Sequence, residues 1–531
     1  MRAALPGLLL LAALLVVPFA LQPKVAAPPD TTRKLVLLTP HNEALRYEMS
    51  RGFQRYLKKR GEAPVALDWR SPGGTTELTR LLSSEYRSAF EQYFLKQTGE
   101  RLTERGAQAF ANPKQSTEGN GEAARARRLF LSSNVSSHID VLFGGGSYDF
   151  AQHAAAGRLV DSGVIRKHPE LFGEGGIPQT LGGEPYWDEQ GRWIGACVSG
   201  FGICYNPEAL AQLGITRAPK RWADLADPRL AGHVALADPS KSGSANKAFE
   251  LIIQQAMSTA LSQAGSPAPD SAAGRMALAS GFDDGMRLIR KIGGVSRYFS
   301  DQAGKVAQDV QNGSAAVGMC IDFYGRFESD RPGPGQRLHF VLPEGGTSMG
   351  SDPIGLLRGA PSPELGRMFI EFVLSPEGQA LWAYKIGVPG GPERYALRRT
   401  PILPILFDPS RRELRSDPDD NPYETARSFT YHAAWTGPLF RALSFVIRVM
   451  CVDTEEELQE ASAELARHDN PPAARAAFDD MSLVSYAVVK QEIAPALASG
   501  DPLREVELQN RLVVALKRQY EHVSELARSQ R

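Results

Sequence analysis

Short apolar runs alternate with amphipathic helical patterns in this chain, and most of the runs end in Gly, Ser or Thr. This alternation constrains the fold more than any other feature. Residues 34–39 (Lys-Leu-Val-Leu-Leu-Thr) read as a buried strand. After the loop Pro40-His41-Asn42, residues Leu45, Met49, Phe53 and Leu57 recur at helical spacing, and Gly61 ends the helix. Residues 65–69 form a second strand, and Ser71-Pro72-Gly73-Gly74-Thr75-Thr76 turns into a helix with Leu78, Leu81 and Leu82 on its inner face. This is βαβ wiring, which predicts a parallel sheet with helices on its faces. The pattern resumes at 139–143 (Ile-Asp-Val-Leu-Phe) and ends in Gly144-Gly145-Gly146-Ser147. A second α/β stretch opens at 234–237 and runs through Asp238-Pro239-Ser240-Lys241-Ser242-Gly243-Ser244 into a helix bearing Phe249, Ile252 and Ile253. A later helix with Val306 and Val310 precedes a strand at 315–321, which leads into Asp322-Phe323-Tyr324-Gly325.

At 531 residues the chain exceeds what one hydrophobic core fills, so at least two lobes are expected. Residues 96–128 are polar and read as an insertion or mobile loop. Ser362-Pro363-Glu364 and Ser375-Pro376-Glu377 each open a helix with Ser at the N-cap, Pro at the first position and Glu in the first turn. From about 396 a Pro- and charge-rich connector leads to helices that include 439–450 and one opened by a capping box, Thr454-x-x-Glu457. Residues 1–24 read as a signal peptide, the rival being an uncleaved anchor over residues 3–21. No later stretch reads as long and apolar enough to cross a membrane. The charges balance, with 60 Lys+Arg against 60 Asp+Glu, which argues against a nucleic-acid partner. Cys197, Cys204, Cys320 and Cys451 show no metal-site spacing; a local Cys197–Cys204 bridge and four small buried side chains are the two readings.

The chemistry-bearing candidates sit at strand ends and helix starts. His41, Gly73 to Thr76, Gly144 to Ser147, Ser240 to Ser244 and Asp322 to Tyr324 each follow a strand. Ligands bind at that edge in open parallel sheets. Helix N-termini with small hydroxyl residues present free N–H groups and favour anions. Gly346-Thr347-Ser348-Met349-Gly350 matches the nucleophile-elbow pattern, but Pro353 opposes the helix that motif requires, so a polar loop fits better.

The order of these segments resembles that of the extracellular solute-binding proteins of ABC importers, the branch similar to ferric-iron, phosphonate, polyamine and sugar-phosphate binders. The segments that carry the likeness include 139–147, Gly202-Ile203-Cys204-Tyr205-Asn206, 238–244, Gly313-x-Ala315-Ala316-x-Gly318 and Ser375-Pro376-Glu377-Gly378-Gln379. The resemblance implies a two-lobed α/β fold of the type II periplasmic binding protein kind, closing over its ligand by hinge motion. It places lobe 1 at 31–200 and 343–395, lobe 2 at 201–342, and a helical extension at 396–531. It implies a substrate site drawn from His41, Thr75, Thr76, Gly145, Gly146, Ser147, Ser242, Gly243, Ser244, Asp322, Tyr324, Thr347 and Ser348. No catalytic residue, metal or cofactor is implied, and Phe323 stands where related iron binders carry the first of two tyrosines. The expected partners are a small polar or anionic solute and a membrane permease, with the chain acting as a periplasmic or extracellular monomer. The alternatives are an exported serine hydrolase using Ser348, and a sensor or scaffold built on a binding-protein fold.

Overall fold

The first strand, β1 (Arg33–Leu38), is buried over its last four residues because apolar side chains face helices on both sides of the sheet. The computed structural model describes residues 33–329 and 337–529; the signal or anchor segment lies outside them. In chain order the remaining strands are β2 (Val65–Arg70), β3 (Val141–Phe143), β4 (Leu159–Val160), β5 (Thr180–Leu181), β6 (Glu184–Pro185), β7 (Ile194–Ser199), β8 (Phe201–Tyr205), β9 (Val234–Ala237), β10 (Ser296–Ser300), β11 (Val317–Ile321), β12 (His339–Val341), β13 (Gly350–Leu357) and β14 (Thr400–Pro401).

Two sheets result. The first has the order β14-β7-β13-β3-β1-β2, with β4 also pairing β13. In it β1, β2 and β3 run parallel, while β13 and β7 are antiparallel to their neighbours. The second has the order β10-β9-β11-β8-β12, with β9, β10 and β11 parallel and β8 and β12 antiparallel. The chain passes from the first sheet to the second between β7 and β8, through Gly200, and returns between β12 and β13 through residues 342–349. This is the two-lobed α/β architecture that the resemblance implies.

The segment after 396 is divided between the lobes. β14 adds to the first sheet beside β7, and Ile402, Leu403, Leu406 and Ala426 pack into the core of lobe 1. From Phe429 on, the apolar side chains join the core of lobe 2. Phe249, Ile253, Met286 and Ile289 of lobe 2 share one cluster with Val446, Ile447, Leu458, Leu516 and Tyr520. Burying a side chain of this size contributes about 1.5–3 kcal/mol. The extension is therefore a structural continuation of lobe 2. A third crossing between the lobes runs through residues 426–429.

Four expectations change. About half of residues 96–128 is helix: Thr75–Thr98 ends in this segment, Glu104–Ala109 lies within it and Glu122–Ser132 begins in it. The reason is aromatic packing of Phe90, Phe110 and Phe130, with the Glu122 carboxylate accepting from the N–H and hydroxyl of Thr103. Thr454 does not form a capping box; its hydroxyl donates to the carbonyls of Met450 and Val449 and closes the preceding π-turn. Ala433–Val452 is long and apolar enough to cross a membrane by composition, but most of it is buried in the core shared with lobe 2. Cys197 and Cys204 lie in different sheets and cannot form a local bridge; all four cysteines are free and buried.

Candidate functional site

The N-termini of five helices meet at one cavity of about 870 Å³ between the lobes. Glu43–Lys59, Thr75–Thr98 and Ser147–Ala156 come from lobe 1, and Gly243–Gln263 and Ala303–Gln311 come from lobe 2. Each follows a strand because the sheet order sends the C-terminal strand ends toward the other lobe. Asn42 and Ser242 cap their helices with their own side chains. The helices beginning at Thr75, Ser147 and Ala303 have no side-chain cap, so their first N–H groups remain available to a ligand.

His41, Thr75, Gly145, Gly146, Ser147, Ser242, Gly243, Ser244 and Tyr324 line the cavity. Thr76, Asp322, Thr347 and Ser348 do not. Asp322 is fully buried beside the first crossing, where it accepts from the Gly200 N–H at 3.1 Å and the Phe323 N–H at 2.7 Å. Burial raises its pKa to about 6, against the pull of Arg326. The Thr347 hydroxyl accepts from the Phe201 N–H at 3.0 Å, which ties two crossings together. Ser348 is buried and donates to Glu184 Oε1 at 2.6 Å. Its partner is thus a carboxylate of the cavity wall, an arrangement unlike a nucleophile paired with a histidine base.

The glycines after β3 have a different use from direct ligand contact. Gly144 adopts φ +94°, and a Cβ there would fall 2.3 Å from the His41 ring. Glycine therefore makes room for the histidine. The Gly145 N–H donates to Asp352 Oδ1 at 2.7 Å. Asp352 also receives a charge-assisted bond from Arg399, whose other terminal nitrogen donates to His41 Nε2 at 2.8 Å. His41 Nε2 also lies 3.2 Å from Asp352 Oδ2, and Nδ1 lies 2.8 Å from the Thr39 hydroxyl, so both ring nitrogens have polar partners. Burial lowers the His41 pKa despite Asp352, so the ring is neutral at pH 7. Burial would raise Asp352, but Arg399 and His41 hold it down to about 2.

Arg399 and Lys247 are the cations that sequence reasoning missed. Arg399 is 3% exposed and lies over the Phe323 ring at 4.0 Å. Lys247 bridges Glu184 of lobe 1 at 2.8 Å and Glu250 of lobe 2 at 3.0 Å, with its ammonium 3.3 Å from the centroid of the Tyr431 ring. Burial works against its charge, but Glu184 and Glu250 hold the pKa above its ordinary value. The only signal for Lys247 was its place in the first turn of the helix after Ser242. Arg399 sits in a connector with no periodicity and gave no signal. Asp149, in the first turn of its helix, also lines the cavity; burial pushes its pKa up to about 6. Among the described residues no group of three His, Cys, Asp or Glu side chains converges in a way that could hold a metal ion.

The chain is 27% identical over 219 residues to an uncharacterized protein of Haemophilus influenzae, covering 41% of this chain and 54% of that one. It is 25% identical over 191 residues to the phosphoglycerate transport regulatory protein PgtC of Salmonella typhimurium, covering 36% and 40%. It thus spans about half or less of the length of these curated relatives. The periplasmic binding protein AfuA of Actinobacillus pleuropneumoniae, solved with fructose-6-phosphate, superposes at a TM-score of 0.44 and 18% identity, over 66% of this chain and 81% of that one. The bacterial extracellular solute-binding protein family matches residues 136–401, half of the sequence. The chain belongs to that family.

Proposed function

We propose that the protein captures a small anionic solute in the interlobe cavity and delivers it to an ABC permease after export. The observation that carries this reading is the convergence of five helix N-termini, three of them uncapped, from both lobes. The charged side chains of the walls nearly cancel: Arg46, Lys241, Lys247, Lys305 and Arg399 stand against Glu77, Asp149, Glu184, Glu250, Asp301 and Asp352. The helix ends then set the local polarity, each contributing about 0.3–1 kcal/mol toward an anion and up to about 2 where partly buried. The name of PgtC, a phosphoglycerate transport regulator, is consistent with an anion.

Contacts from both lobes favour the closed state, and binding shifts the population toward it. Gly243 of lobe 2 already approaches Thr75 of lobe 1, since a Cβ there would lie 3.0 Å from the Thr75 hydroxyl. No bond-making step is required: Ser348 faces Glu184, and burial lowers the pKa of His41. The reading is tested by calorimetry and thermal shift with phosphate and sulfate esters against spermidine. Esters should bind and raise the midpoint, as any ligand of the native state does; binding of spermidine alone would reverse the assignment.

A further inference from the structure

We infer that the helical extension beyond the family-matched region is part of the solute site, and that it selects an anion carrying a ring or apolar body. This rests on the anion reading above. The cavity holds about 870 Å³, whereas a water occupies about 30 Å³ of liquid and a tetrahedral oxyanion a few times that. A bare ion would leave most of the space unfilled; cavities of this size accept polyatomic ligands.

The volume lies partly against the extension. Tyr431, Ala433, Gly437 and Phe440 line the cavity, and all four lie beyond residue 401, where the family match ends. Phe440 faces Tyr148 of lobe 1, with ring centroids 4.7 Å apart. Tyr148 stands in the first turn of the uncapped helix Ser147–Ala156, so an anion on that helix end would place its body toward the Tyr148–Phe440 pair. Offset and tilted aromatic faces suit a ring or an apolar group. The wall is anchored to lobe 2: Asn246 Nδ2 donates to the Phe440 carbonyl at 2.8 Å, and Val446 and Ile447 on the same helix are fully buried in the shared core. It therefore moves with lobe 2 and meets Tyr148 when the cleft closes.

The test is calorimetry on the full-length protein with two probes, inorganic phosphate and phenyl phosphate, for wild type, Phe440→Ala and Tyr148→Ala. Phenyl phosphate should bind wild type about tenfold or more tighter than inorganic phosphate, and either substitution should cut that ratio about tenfold. Tyr148→Ala leaves the extension's own packing intact, so it decides the matter if Phe440→Ala folds poorly. Equal affinities in wild type, or ratios unchanged in folded variants, overturn the role of the extension while leaving an anion site. Failure of both probes to bind wild type overturns the anion reading and this inference together.

Discussion

The two lobes solve the same problem differently. Lobe 1 covers both faces of its sheet almost wholly with its own chain, the extension adding residues 400–426: one core is built on Phe53, Phe143 and Phe369, the other on Phe90, Phe130 and Leu142. Lobe 2 covers one face with a small cluster around Val306, Val310 and Cys204, and its larger core is completed by the extension. Lobe 2 is thus half of a bigger body. The tail from Phe429 on is a condition of its stability, which a reading of the tail as an accessory module would not anticipate.

The sharpest way to break this comparison is a cavity in the tail. Phe478→Ala should cost about 3–5 kcal/mol, because Phe478 packs against Tyr520 and the buried Arg290 of lobe 2. Hydrogen exchange should then show faster opening in the helix Ala272–Gly294 as well as in the tail. Loss of protection confined to the tail would mean two separate cores.

Acid should distinguish the lobes next. His153 of lobe 1 is buried, and burial, aided by Arg158, lowers its pKa to about 3. A histidine with a depressed folded pKa contributes stability above its unfolded value of about 6.5, and this is lost as pH falls toward about 3. Between pH 7 and pH 4 the loss should be about 3 kcal/mol, and denaturant titrations of His153→Gln should lack it. Asp322 at the hinge has the opposite sign. Its folded pKa of about 6 lies above the unfolded value, so stability it withholds at pH 7 returns as pH falls through about 6 toward 3.8. The effect should be about 3 kcal/mol at most, and Asp322→Asn should abolish it. A steeper acid loss in that variant is the expected result; an unchanged profile would remove Asp322 from the account.

The smallest expected effect separates two similar helix starts. Ser375 accepts from the Gly378 N–H at 3.2 Å, so Ser375→Ala should cost about 1 kcal/mol. Ser362 has no such bond; its hydroxyl donates to the Lys34 carbonyl and its N–H to Asp140, so Ser362→Ala should alter the pairing of that turn with β1 rather than a cap. Melting temperatures of both variants check the contrast.

Much of the fold was legible because local pattern and global position agree along β1, β2, β3 and β9 and the helices after them. The site was legible where a residue sits at a strand end, as His41, Ser147 and Ser242 do. It was not legible where tertiary contact decides. Asp322 follows β11 as Ser147 follows β3, yet its carboxylate turns under the sheet to hold Gly200. Arg399 sits in the Pro- and charge-rich connector and Tyr431 just beyond it, where no periodicity or motif marks a site. The Gly144–Gly145 pair lies at the end of β3, but a ring and a carboxylate already occupy what it offers.

The third crossing has a mechanical consequence. Ser428 runs beside the second crossing, since a Cβ on Gly345 would lie 3.7 Å from its carbonyl, and the Tyr431 N–H donates to the Gly182 carbonyl at 2.8 Å. Three adjacent connections can bend together about one line but cannot slide past one another. The opening of this protein reduces to a single angular coordinate, with shear and twist suppressed, and its open and closed forms should differ by a rotation that one interlobe distance is enough to follow.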